Sequence, residues 1–316
     1  MRHAFPALSR AAFGLALLAS LATPALADPD TPVPPIADRA PEVRLADETV
    51  ILPIVMVREY PFIEGSIAGV PGKLMLDTGY QGALIINDHR VPVPEGRKIG
   101  TGFFGSGQTF EVRLAPEVRD VRVGGLTYPR VTDVVAQDAR LLEGIAPDFI
   151  GWFGYEAFAT HALEVDYKTL QATFHADGDD YLAGERLVAE LAFETRRLPN
   201  VPLMTGQIGD LPILVSWDTG QYGGFHMTEA GRDRLLREGH LTPSATEPGA
   251  FDLQGLTIGG HVLPPIPALP IDIEPSPASG SIGITEADHL TVGYGLLHQF
   301  KTVWDFPRQR IVLLEP

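Results

Sequence analysis

Three blocks of this chain occur twice, in the same order and with similar gaps, so its fold must accommodate two copies of one unit. The stretch IEGSIAGVPGKLMLDTGYQGA around Asp77 matches LMTGQIGDLPILVSWDTGQYGG around Asp218 without a gap, 141 residues further on. Gly65 pairs with Gly206, Ile67 with Ile208, Pro71 with Pro212, and Asp77-Thr78-Gly79 with Asp218-Thr219-Gly220. A second block sets VRVGGLTYP against LTIGGHVLP, and a third sets GYEAFATHALEVDY against GYGLLHQFKTVWDF. In the third, Gly154 and Gly293 each stand 12 residues before Asp166 and Asp305. A tripeptide such as Asp-Thr-Gly arises by chance roughly once in several thousand positions. Two copies inside aligned flanks mark duplication.

Each copy reads as strand. Runs such as PFIEGSI, KLMLDTG, TFEVRLA, ALEVDY and ATFHA are short, alternate in polarity and end at Gly, Pro or Asp turns. The best helix is Glu229 to Arg237, with Thr228 as N-cap and Gly239 past its end, and a shorter one is expected after each Gly-Tyr pair. The pattern predicts an all-β, bilobal chain with pseudo-twofold symmetry. Its N-terminal lobe covers 51–176, its C-terminal lobe 201–316, and residues 177–200 connect them.

The N-terminus carries a separate signal. Arg2 and Arg10 precede an apolar run from Ala11 to Ala22 that leads to Ala25-Leu26-Ala27, the small-x-small pattern before a signal-peptidase cut. The run is shorter than the roughly 20 residues of a spanning helix, so 1–27 reads as a cleaved signal peptide rather than an anchor. An exported chain, periplasmic or secreted after cleavage near Ala27, is expected, with no membrane span thereafter. Residues 28–50, rich in Pro and acid, read as a linker or leader. Forty acidic against 24 basic residues give a formal charge of -16, which argues against nucleic acid as a partner. The chain has no Cys, which removes disulfides, thiolate metal sites and a Cys nucleophile. Chemistry falls to carboxylates, hydroxyls or histidines.

The two framed Asp-Thr-Gly triplets, each ending an apolar strand and followed by an apolar-Gly segment and an Asp-aromatic hairpin, resemble those of the pepsin-like and retropepsin-like aspartic peptidases. The resemblance covers about residues 51 to 316. It implies two β-barrel-like lobes flanking a cleft, with Asp77 and Asp218 meeting at its floor as the catalytic pair. Thr78 and Thr219 would cross-bond the two loops, and Gly79 and Gly220 would let backbone approach the carboxylates. It implies an aspartic endopeptidase acting as a monomer on peptide or protein substrates in extended conformation, without metal or cofactor. The chemistry stands apart from the family: two carboxylates in contact cannot both ionise cheaply, so one can serve as base and the other as acid. From Asp77 to Gly124 is 47 residues, against 41 from Asp218 to Gly259. The extra length coincides with IGTGFFGSGQTF and reads as a flap, with Gly102, Phe103, Phe104, Gly105, Ser106 and Gly107 at the substrate.

Other motifs are declined. Residues 100–105 spell G-T-G-F-F-G, but a dinucleotide fingerprint needs a preceding parallel strand and a following helix. Gly102 to Thr109 resembles a phosphate loop with Gln108 in place of Lys. Asp166 and Asp305 read as turn residues, the histidines show no metal spacing, and no G-x-S-x-G elbow appears. Four features depart from the family. Tyr80 and Gln221 follow the triplets where a hydroxyl residue or Ala is usual, Thr291 replaces an apolar residue, and the usual flap tyrosine is missing from 99–110. A peptide-binding module on the same fold without turnover is the alternative reading.

Overall fold

The computed structural model describes residues 43–103, 109–176, 180–276 and 278–316, with Phe103 described in its backbone alone. Residues 1–42, which hold the expected signal peptide 1–27 and most of the expected leader, and Phe104, Gly105, Ser106 and Gly107 of the expected flap lie outside the described residues. What is described is mostly β-sheet, as the alternating runs predicted. The Glu229–Glu238 helix forms where expected: the Thr228 hydroxyl accepts from Gly231 N at 3.0 Å, and Gly239 ends the helix in the left-handed region at φ 78°. Short helices follow both Gly-Tyr pairs, at Tyr155–Ala157 and Tyr294–Leu297. A further 3₁₀ turn, Arg140–Gly144, and a helix, Ser279–Ile282, carried no pattern that announced them.

The N-terminal half builds an eight-stranded sheet that closes on itself. Strand Tyr60–Ile67 pairs with Val70–Asp77 on one side and, through Gly65 and Ser66, with the long strand Thr109–Val123 on the other. Closure needs Gly65: a Cβ there would collide with the Arg122 carbonyl oxygen and lie 2.7 Å from Leu74 Cδ1. The Val70–Asp77 strand runs parallel to Phe149–Gly154, with Asp77 opposite Gly154. The C-terminal half repeats this arrangement in a seven-stranded sheet, where Leu211–Trp217 runs parallel to His289–Val292. In both halves the chain after the triplet returns as an antiparallel partner of the second strand, Leu84–Asn87 in one and Gly223–His226 in the other. The triplet loop thereby joins the two strands that flank Phe149–Gly154 in one half and His289–Val292 in the other. Gly154 and Gly293 are demanded here because added Cβ atoms would crowd the Tyr80 carbonyl oxygen at 2.7 Å and the Gln221 carbonyl group. The tyrosines behind them donate to those same carbonyls, Tyr155 N to Tyr80 O and Tyr294 N to Gln221 O, both at 2.9 Å.

A third sheet takes strands from both halves, in the order Val50–Pro53, Gln171–His175, Ala162–Asp166, Lys301–Asp305, Arg310–Leu314 and Leu187–Ala192. Its centre is self-matched: Ala162 pairs with Asp305, Glu164 with Val303 and Asp166 with Lys301. Glu164 and Val303 are equivalent positions of the third repeat block, so the local twofold axis passes between them. The edges obey the same symmetry, with Val50 opposite Phe174 and Ala189 opposite Leu313. Aromatic rings lock the halves across this sheet. Tyr155 packs edge-on against Phe306 at 4.7 Å, and its counterpart Tyr294 packs on Tyr167 at 5.6 Å.

Two assigned boundaries move. Residues 43–49, read as leader, already pack: Val43 and Leu45 are buried, and Leu45 N donates to Ala157 O at 3.0 Å. The connection at 177–200 contains the edge strand Leu187–Ala192. Residues 43–49 are held by packing, and Leu187–Ala192 pairs along one side only, so tertiary partners rather than local pattern set their conformation. Asp166 and Asp305 do serve turns: Asp166 Oδ1 accepts from Lys168 N and Thr169 N, and Asp305 Oδ1 from Arg308 N at 3.1 Å. No helix among the described residues is long and apolar enough to cross a membrane.

Candidate active site

The two triplets lie 141 residues apart in sequence and in direct contact in space. Thr78 N donates to Thr219 Oγ1 and Thr219 N donates to Thr78 Oγ1, each at 3.0 Å. The Thr219 hydroxyl in turn donates to the Leu76 carbonyl at 3.0 Å. All of these atoms are buried, so each bond spares a polar group the roughly 1–3 kcal/mol cost of lying unpaired in the interior. Threonine suits the position because its hydroxyl can accept from one strand end while donating to another.

This grip brings the carboxyls of Asp77 and Asp218 face to face. Gly79 and Gly220 permit the approach: a Cβ on Gly79 would lie 2.6 Å from Asp218 Cγ, and one on Gly220 would lie 2.5 Å from Asp77 Oδ1. Each glycine therefore accommodates the other half's aspartate. Both carboxyls are driven above the ordinary carboxylate range, primarily by burial, with the Asp218 charge adding to the rise at Asp77. Two unit charges about 4 Å apart at an effective dielectric of about 20 repel by about 4 kcal/mol, equivalent to about three pH units. One proton shared between the two carboxyls removes that repulsion.

The surroundings of the pair are unequal. Asp218 Oδ1 accepts from Gly220 N at 2.7 Å and Gly79 N at 3.2 Å, and Oδ2 accepts from Gln221 Nε2 at 2.7 Å. Neither oxygen of Asp77 has a hydrogen-bond partner among the described protein donors; the amides of Gly79 and Tyr80 lie near enough to favour its anion without completing a bond. Tyr80, at the position equivalent to Gln221, turns away and stacks on Trp152 with centroids 6.1 Å apart and planes at 26°. Its phenol is pushed up by burial and by Glu156 and Asp77. Tyr60 also senses both aspartates, its hydroxyl raised to about 12 by burial first and by neighbouring charges including Glu59, Asp218 and Asp77.

Asn200 is a residue that the repeat did not expose. It is fully buried, and its Nδ2 donates to Thr78 O at 3.1 Å and Gly79 O at 2.7 Å, fixing the first triplet loop from the connecting segment. It lies in no repeated block; a lone asparagine before Val201 carries no signal in sequence. Tyr167, which ends the third repeat block, also faces the pair, its hydroxyl buried without a partner among the described residues and raised by burial, Tyr294 and Asp218. Of the flap assignment, Gly102 is the penultimate residue of the strand Arg97–Phe103, and Phe110 on the neighbouring strand lies over it, leaving no room for a side chain. That strand pairs antiparallel with Thr109–Val123, so residues 100–103 belong to a β-hairpin and not to a nucleotide loop. Phe110 joins the apolar cluster of Tyr60, Tyr80 and Trp152, which ties the far end of the hairpin strands to the residue that follows the first triplet.

No protein-family model matches this chain, and no curated protein matches its sequence. The site's own geometry therefore carries the functional reading.

Proposed function

We propose that this chain is an aspartic-type endopeptidase with a bilobal, pepsin-like architecture. The observation that carries the reading is the reciprocal threonine bonding that brings one buried aspartate from each half into contact. In the reaction we envisage, a water held by the pair attacks the peptide carbonyl carbon while its proton passes to the ionised carboxylate. The protonated carboxyl supports the developing oxyanion by hydrogen bonding, and the tetrahedral intermediate collapses with proton transfer to the departing nitrogen. The C–N bond breaks without a covalent enzyme intermediate, and the pair regains its single shared proton.

The hairpin ending in Arg97–Phe103 would cover an extended peptide, with Phe103 and Phe104 as apolar contacts. Export with cleavage near Ala27 completes the proposal. N-terminal sequencing of the exported protein should read Asp28 first, and an intact Met1 on membrane-bound material would refute export by cleavage. The activity itself is tested by incubating residues 28–316 with a mixed peptide library from about pH 3 to 8. Internal cleavage by wild type, abolished in Asp77→Asn and Asp218→Asn, is expected. Cleavage that persists in either variant would remove the pair from the chemistry.

A further inference from the structure

Two carboxyls that share a proton need not share it equally. We infer that Asp218 is the ionised member and Asp77 the proton carrier, with Gln221 as the positioning residue that sets this order. The catalytic meaning of this assignment rests on the peptidase reading; the order of titration does not.

The hydrogen-bond inventory supplies the reason. An ionised carboxylate only accepts, and Asp218 meets three N–H donors, from Gly220, Gly79 and Gln221. Asp77, although fully buried, completes no hydrogen bond with the described protein donors, and only the nearby amides of Gly79 and Tyr80 favour its anion. A protonated Asp77 has one hydrogen to give, and the facing Asp218 carboxylate is the acceptor that takes it. With the proton on Asp218 instead, an anion would stand at Asp77 without a completed protein hydrogen bond, while three completed donors converged on a neutral acid. The Gln221 amide is consistent with the first arrangement. Its Oε1 is buried and unpartnered, a sacrifice best offset when Nε2 donates to a full negative charge.

Gln221 is also the point at which the halves diverge, since the equivalent Tyr80 is committed to Trp152 and offers Asp77 no side-chain donor. The other titratable groups around the pair are the hydroxyls of Tyr60, with Glu59 and Arg58 beside it, of Tyr80, with Glu156 beside it, and of Tyr167 next to Tyr294. All three hydroxyls are raised and stay neutral throughout the acidic range. His289, bonded to Ser216 behind Asp218, is lowered to about 3 and is neutral above that pH.

The test is a pH titration of isotope-labelled aspartate carboxyl carbons by nuclear magnetic resonance, which needs no turnover. In wild type the lower step is expected on Asp218. The lone carboxyl of Asp77→Asn should titrate about two pH units below the lone carboxyl of Asp218→Asn, and Gln221→Leu should raise the lower wild-type step by about one unit. Equal values in the two Asn variants, or the reverse order, would overturn the assignment even if Gln221→Leu failed to fold. An unmoved lower step in a folded Gln221→Leu would remove the glutamine from its role. On a cleaved peptide, the acid limb of kcat/KM should move upward by the same amount in Gln221→Leu while the basic limb holds; a purely structural glutamine would lower the rate at every pH. Ordered titration without cleavage would sink the peptidase reading alone, and cleavage with Asp77 titrating first would sink this assignment alone.

Discussion

Two residues before Asp77 stands Met75, paired across the parallel strands with Trp152; two residues before Asp218 stands Ser216, paired in the same way with Thr291. The backbone is duplicated and the chemistry is not. In the N-terminal half this face is apolar, with Trp152 between Tyr80 and Phe149. In the C-terminal half it is polar: the Ser216 hydroxyl lies 3.0 Å from Thr291 Oγ1 and 2.8 Å from His289 Nε2, all of them buried. A symmetric frame thus holds two identical acids in unlike surroundings, and unlike surroundings are what separate an acid from a base.

The largest effects should come from destroying the contact between the halves. Gly79→Ala and Gly220→Ala each drive a methyl into the opposite carboxyl, and each should lower kcat/KM by about a thousandfold or more, given that about 4 kcal/mol of misplacement corresponds to that factor. Peptide cleavage by purified, folded variants measures it.

The threonines come next and should be unequal. Thr219→Val deprives both Thr78 N and the Leu76 carbonyl of partners and should cost about 2–6 kcal/mol. Thr78→Val leaves only Thr219 N without its acceptor and should cost about 1–3 kcal/mol. Urea unfolding of both variants tests the order; equal losses would show the grip to be energetically symmetric.

Two buried groups, one from each half, should make stability depend on pH with opposite signs. His289 is held neutral to about pH 3 by burial, with His226 adding to the effect, while an unfolded imidazole titrates near 6.5. Its contribution is present above about pH 6.5 and is lost as pH falls toward 3. Asp77 is raised, so its contribution is present below the ordinary carboxylate value and is lost as pH rises through the folded one. His289→Gln should therefore flatten the acid side of the stability profile, and Asp77→Asn the side above it. Melting temperatures across pH 3 to 8 decide this, and profiles parallel to wild type would contradict both assignments.

Smallest is Tyr167→Phe, which removes a buried hydroxyl without a partner and makes the residue match Phe306 in the other half. Unchanged stability, or a gain of up to about 1 kcal/mol, is expected by thermal unfolding. A loss beyond that would show that the hydroxyl has a role in the fold.

The duplication made the essentials legible in sequence: Asp77 and Asp218, the threonines that join them, the glycines that let them meet, and the capped helix at Glu229–Glu238 are all marked by repeated or local patterns. Gln221 was visible as a departure with a hydrogen bond to offer, and it makes that bond at 2.7 Å. Asn200 was not visible, because its bonds reach 121 and 122 residues back along the chain and its equivalent in the first half is not an asparagine. The edge strand Leu187–Ala192 was hidden for a similar reason, since it is specified by its partner Arg310–Leu314 more than by its own residues. Patterns within a segment reveal what the segment prefers; contacts made by a single partner across the fold leave no such trace.

The most direct test of the pair as one catalytic unit is the pH dependence of kcat/KM on a single cleaved peptide. A bell-shaped profile is expected, its two limbs belonging to the pair jointly, with turnover lost in both Asp77→Asn and Asp218→Asn. Turnover that survives either substitution, or no turnover by the wild type at any pH, would contradict it.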